Sequence, residues 1–198
     1  MFTNFSTLLN LKVMMTAAMM GAAVLSMTAG VTGAVFTSSS SVGSNNFTTG
    51  SVDISALPAS SVFSVGAMAP GDVVTASIDV TNSGTLQQRY SVTSTSTEDT
   101  LAAQLDLAVK TGVSSCDNSG FGVDGTFLYG PADSGSTTTT NVVGDPTQGG
   151  DAGDRTLAAT ASEVLCFQIS LPASTSAAFQ GTSTALTFDF QAEQTANN

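Results

Sequence analysis

The chain has 198 residues, 15 acidic against 4 basic side chains, a formal charge of −11, and neither histidine nor tryptophan. The acidic balance excludes nucleic acid and anionic lipid as natural partners, because both need Lys or Arg to neutralise phosphates. The lack of histidine excludes Ser-His-Asp triads, Cys-His pairs and His-ligated zinc.

At the N-terminus, Lys12 stands before the apolar run VMMTAAMMGAAVLSMTAG, which ends in small residues and reads as an export signal. A permanent membrane anchor is the competing reading, since the run approaches the ~18 residues that raise it. Ala, Gly and Thr dilute the run, and Thr32 with Ala34 suits cleavage, so residues 1–34 are assigned as a signal peptide. Cleavage there makes Val35 the new N-terminus. No second run of that length follows, so the mature chain is expected to be secreted, outside the membrane, as one domain of roughly 160 residues. Losing Lys12 leaves it one net negative charge beyond −11. We read that acidity as solubility, with specific cation binding as the alternative.

Residues 35–46 place the apolar pair Val35-Phe36 ahead of a serine-rich tract that has no core of its own. The tract is either a strand-compatible arm that anchors elsewhere or a leader that spaces the domain from the signal. Residues 47–198 are expected to form a β-sandwich. FTTGSVDI (47–54) and VFSV (62–65) read as short strands. In VVTASIDV, Val74, Ala76, Ile78 and Val80 fall on one face and Thr75, Ser77 and Asp79 on the other, between turns at Pro70-Gly71-Asp72 and Asn82-Ser83-Gly84. RYSVTST repeats the alternation with Tyr90 and Val92, and the two runs are expected to pair antiparallel.

LAAQLDLAVK reads as a short turn over Leu101–Leu105 followed by a strand. From Cys116 to Arg155 the chain is rich in Gly, Ser, Thr and Asp, broken only by TFLYG, and is expected to be mostly irregular loop. In SEVLCFQISLP, Leu165, Phe167, Ile169 and Leu171 share a face that Pro172 ends, while Cys166 points the other way. The last run, TALTFDFQA, sets Leu186, Phe188, Phe190 and Ala192 against Thr187, Asp189 and Gln191. Seven to nine short strands separated by turns suit an all-β jelly roll or two-sheet antiparallel sandwich with long loops and little helix.

Cys116 and Cys166 are the two cysteines, and in an exported chain such a pair forms a disulfide, worth roughly 4 kcal/mol by loop-closure entropy. The parity of Cys166 puts that bond on the face of its strand opposite the core. Lys110 is the one lysine left after cleavage, and nothing around it resembles a Ser-Lys site. Asp117, Asp124, Asp145, Asp151 and Asp154 offer oxygen ligands for calcium, but their spacing matches no EF-hand and Asp-Gly pairs also build turns. Asn46-Phe47-Thr48 fits a glycosylation acceptor and is treated as chance. No catalytic residue, metal ligand or cofactor is assigned.

The export signal, FTTGSVDI, MAPGDVVTASIDVTNSGTLQQRYSVT, GDRTLAATASEVLCFQISLP and the closing FQGTSTALTFDFQAEQTANN together resemble the TasA/camelysin family of secreted bacterial matrix proteins. The likeness rests on the order of these blocks across nearly the whole chain. It implies a jelly-roll subunit, released by a dedicated signal peptidase, that polymerises into extracellular biofilm fibres. The N-terminal segment of one subunit would complete the sheet of the next, led by Val35 and Phe36. The implied partners are further copies of this chain, with other matrix proteins as further candidates. Members commonly follow the Phe with Ser-Asp, whereas this chain has Phe36-Thr37-Ser38. Some members carry a metallopeptidase label, against which the missing histidine stands. The remaining alternative is a monomeric surface sandwich that binds calcium or a carbohydrate through its Asp/Gly loops.

Overall fold

The computed structural model describes residues 46–63 and 67–196, together with Gly43. The signal peptide, Val35, Phe36, all of the arm except Gly43 and Asn46, and the second half of the VFSV segment lie outside the described residues. The compact unit runs from Thr48 to Asn198, and the side chain of Phe47 just ahead of it is exposed.

Among the described residues nine strands build two antiparallel sheets: β1 Ile54–Leu57, β2 Val73–Asn82, β3 Gln88–Ser96, β4 Asp106–Thr111, β5 Thr126–Asp133, β6 Thr140–Val143, β7 Arg155–Leu157, β8 Ser162–Ser170 and β9 Leu186–Gln194. One sheet has the order β1-β2-β8-β4-β5. In the other, β3 pairs with β9 along one edge and with β6 and β7 in turn along the other. Among the described residues there is no α-helix, only 3-10 turns at Ala102–Gln104 and Ala177–Phe179. The expected all-β sandwich is therefore the observed architecture.

Alternation explains why these segments meet. Ile78, Val80, Leu165, Phe167, Ile169, Leu107 and Val109 point from the first sheet into the core, and Tyr90 and Val92 meet them from the second. All are at most 6% exposed, and burying each such side chain contributes about 1.5–3 kcal/mol. The turn before β2 is closed by Asp72 N donating to the Ala69 carbonyl, while Ala69 N donates to the Asp72 carboxylate. Gly71 there has φ 99°, a region that a side chain disfavours.

Three expectations are corrected. β2 and β3 do not pair. Buried Asn82 accepts from Gly84 N and donates to the carbonyls of Leu86, Leu157 and Ala158, and this fixes a crossing to the opposite sheet rather than a hairpin. Residues 47–53 are not a strand, because Ser51 and Asp53 bond to the Ser83–Leu86 loop; only Ile54–Leu57 joins the sheet. Val62 and Phe63 are not in a strand either. As expected, most of the stretch from Cys116 to Arg155 lies outside strands, but it also holds β5 and β6. β5 pairs with β4 through its backbone while most of its side chains stay exposed, so it leaves little alternation to read.

At one end the sheets are joined by charge. Glu163 of β8 faces inward, accepting a hydrogen bond from the Tyr90 hydroxyl at 2.8 Å, an ion pair from Arg155 at 2.6 Å and a contact from the Thr111 hydroxyl at 3.3 Å. Burial, and then the Glu163 charge, push the Tyr90 phenol far above its ordinary range; the bond to Glu163 raises Arg155. Glu163→Gln should leave Arg155 without its counter-charge and lower stability by about 2 kcal/mol, or roughly 4–8 °C in thermal midpoint. Thermal unfolding followed by circular dichroism reads this directly, and an unchanged midpoint would refute the clasp.

Candidate functional site

At the other end the sandwich stays open. Among the described residues β9 has a strand partner on one side only, as does β1, and between these two edges lies a groove of about 1180 Å³. Its walls come from Val74 and Ile78 of β2, Leu171 after β8, Leu101 beside the 3-10 turn, and Phe188 and Phe190 of β9. The inward residues of β9 are only half-buried, although this strand has the cleanest alternation in the sequence. Phe167 holds Phe188 at a ring-centroid distance of 4.8 Å, and Phe63 reaches it from the other lip at 6.5 Å.

The taper of β3 explains why the core runs out here. On its inward face Tyr90 and Val92 are followed by Ser94 and Ser96, which register against Phe188 and Leu186. Both serines turn their hydroxyls to crossing backbone, at the carbonyls of Ser134 and Glu98. Small side chains on β3 therefore leave the large ones of β9 without a full set of neighbours.

Glu98 fixes the wall that carries Leu101. Its carboxylate accepts from the hydroxyl and N–H of Thr100 and from the N–H groups of Leu101 and Ala102, capping the 3-10 turn. The Thr100 hydroxyl first, then the backbone donors, hold its pKa at about 2.

The remaining residues singled out in the sequence lie elsewhere. Cys116 and Cys166 form a disulfide with Cα atoms 5.6 Å apart, closing a separation of 50 positions. Cys166 packs with Ala108 and Phe121 on the outer face of its sheet, opposite the core, as its parity required. Lys110 is buried beneath the same loop, where its ammonium donates to the carbonyls of Phe121 and Asp124 and sits 4.3 Å from the Phe127 ring. Asn118 donates to the Val73 carbonyl and so carries this loop across to β2.

The five aspartates divide between two loops, and each serves its own turn. Asp117 accepts from Ser115, Ser119 and Gly120, and Asp124 from Ser114, contacts that hold both carboxyls below their usual range, the serine hydroxyls foremost. Thr147 bridges Asp145 and Asp151, while Asp154 takes the N–H groups of Asp145 and Asp151. Backbone donation from Thr147 is the main cause that lowers Asp145. Asn46 is exposed, and Val35 and Phe36 lie outside the described residues.

A protein-family model described as camelysin metallo-endopeptidase matches residues 9–198, so the chain belongs to the TasA/camelysin family. No curated protein matches it. The residues present do not fit the metal centre that the description implies. Catalytic zinc in peptidases is held by histidine with carboxylate, and the chain has no histidine. Both cysteines are in the disulfide. Glu98 caps a turn, Glu163 is in the clasp, and Glu193 pairs with Arg89 and accepts from Gly149 N. Among the described residues no group of three or more His, Cys, Asp or Glu is placed to hold a metal ion.

The Glu98 cap makes the groove wall acid-sensitive. A carboxyl depressed in the folded state contributes stability above its unfolded value, near 4.5, that is lost as pH falls towards about 2. The Glu98 side-chain carboxyl resonance should titrate with a midpoint near 2, and Glu98→Gln should move it out of the spectrum while loosening Leu101. A midpoint at the ordinary glutamate value would contradict the cap.

Proposed function

We propose that this camelysin-family chain is a secreted structural protein, the subunit of extracellular biofilm-matrix fibres, and that its groove is filled by the N-terminal arm of another copy. The observation that carries the reading is the pairing of an apolar groove with a β9 edge that has no strand partner among the described residues. Such an edge is a template for strand addition, in which main-chain bonds give register and side-chain pockets give selectivity. The arm from Val35 to Asn46 is long enough at about 40 Å fully extended, against roughly 30 Å for the nine residues of β9. Burying Phe36 in the groove would contribute about 1.5–3 kcal/mol.

The path of the chain favours a neighbour over self-insertion. Ile54 lies opposite Asn82, and the residues before it bond to the Ser83–Leu86 loop, so the domain's N-terminal segment leaves at the end of β2. The groove runs from Ala56 and Ile78 to Val74, up to about 25 Å along β2 in the direction opposite to that exit, so an arm filling its own groove would have to double back over the residues that precede Ile54. A head-to-tail contact between different patches on successive copies yields an open filament wherever its rotation does not close into a ring.

Removing residues 35–46 from the mature chain should give a folded monomer, and Phe36→Asp should act in the same direction, since a charge in an apolar groove is costly. Circular dichroism would verify the fold and electron microscopy the assemblies. Fibres that form equally well without the arm would defeat the strand-donation reading.

The family description offers peptidase activity as the second reading, and the donor set speaks against it. Purified mature chain should leave casein intact. Cleavage abolished by chelator and restored by zinc, in material free of other proteases, would reverse this.

A further inference from the structure

One motif, Asn46-Phe47-Thr48, belongs to neither the clasp nor the groove, and three residues carry weight only through their setting. The fold supplies that setting. Residues 46–50 are exposed and in no regular element, where the chain enters the compact unit. The segment is first tied to the domain at Ser51, whose N–H donates to the Thr85 hydroxyl at 2.9 Å and whose carbonyl accepts from the N–H groups of Thr85 and Leu86. Among the described residues no hydrogen bond engages residues 46–50.

The other described asparagines are committed. Asn82 is buried and donates to three carbonyls, Asn118 donates to the Val73 carbonyl, and Asn141 donates to the Asp145 carboxylate. None of these three has Ser or Thr two residues on, and beyond residue 34 only Asn46 does. Acceptor motif and unengaged carboxamide therefore coincide at one position.

We propose that Asn46 is an N-glycosylation site, the acceptor of an oligosaccharide transferred from a lipid carrier on the outer side of the membrane. The proposal goes beyond the assembly reading and shares with it only the export of the chain. In the transfer the Asn46 amide nitrogen bonds to the anomeric carbon of the sugar, the bond from that carbon to the carrier's phosphate breaks, and the lipid phosphate leaves with the electron pair. The nitrogen gives up one proton to a base of the transferase. Thr48 supplies the hydroxyl that the acceptor motif requires two residues on, and a segment unbonded up to Ser51 can bend into an active site. A bulky, solvated glycan at Asn46 also screens its neighbour Phe47, whose side chain is 92% exposed.

The test is mass spectrometry of the peptide spanning Asn46, from protein secreted by its own host. That peptide should carry an oligosaccharide, and fragmentation should place it on Asn46. Asn46→Gln and Thr48→Ala should lose it entirely while Thr48→Ser keeps it, and none should move the thermal midpoint, because no bond among the described residues depends on these side chains. A bare Asn46 in the secreted wild-type chain would overturn the proposal and leave the assembly reading in place. A sugar that survives Asn46→Gln sits on a hydroxyl of the serine-rich tract and would overturn it equally. A chain that stays inside the cell with its N-terminus uncut would overturn the export on which both readings rest.

Discussion

The inward carboxylate of Glu163 decides how the two sheets meet. A single charged side chain on β8 gathers a phenol from β3, a guanidinium from β7 and a hydroxyl from β4. Three strands besides its own are thereby fixed at one end, and hydrogen bonds of this kind tolerate little displacement. Among the described residues the opposite end has no such clasp. There the sheets are held apart by crossing segments and by rings at van der Waals distance, which allow adjustment at modest cost. A closed charged end and an open apolar end follow from where one glutamate sits along β8.

The disulfide and the Lys110 cage are a separate reinforcement. They lie on the outer face of the sheet, where a loop crosses from β4 towards β2, and they touch neither the clasp nor the groove. The bridge acts mainly by restricting the unfolded chain. The lysine is tolerated in a buried place because two carbonyls and two aromatic rings receive its charge. Stability can thus be added to this sheet without filling the core at the end that stays open.

What was legible in the sequence is what alternation records. β2, β8 and β9 were readable because one face of each is apolar at every second residue, and the outward direction of Cys166 followed from the same period. β5 was not, since a strand held mainly by backbone pairing on an exposed edge leaves no pattern, and β6 offers only the adjacent buried pair Val142-Val143, too short to alternate. Partner choice was also hidden: Tyr90 and Val92 look like the hairpin mate of β2, and only the buried bonds of Asn82 send the chain to the other sheet. The groove was the least legible of all. Leu186 and Phe188 read as ordinary core, and their half-exposure arises from the serines opposite them on β3, a pairing that no local window contains.

That mismatch between β3 and β9 gives the proposed assembly its physical logic. A sandwich that filled its own core would have no use for an added strand, and an exposed apolar edge without a selective groove would attract any strand. Here the deficit is limited to one end, and its walls differ: rings on β9, small and hydroxylated residues on the segment leading into it. Subunits that all carry an excess of negative charge repel one another until salt screens them, so the contact has to be short-ranged and shape-specific to persist. A strand seated in a groove meets that requirement, because nearly all of its attraction acts within contact distance.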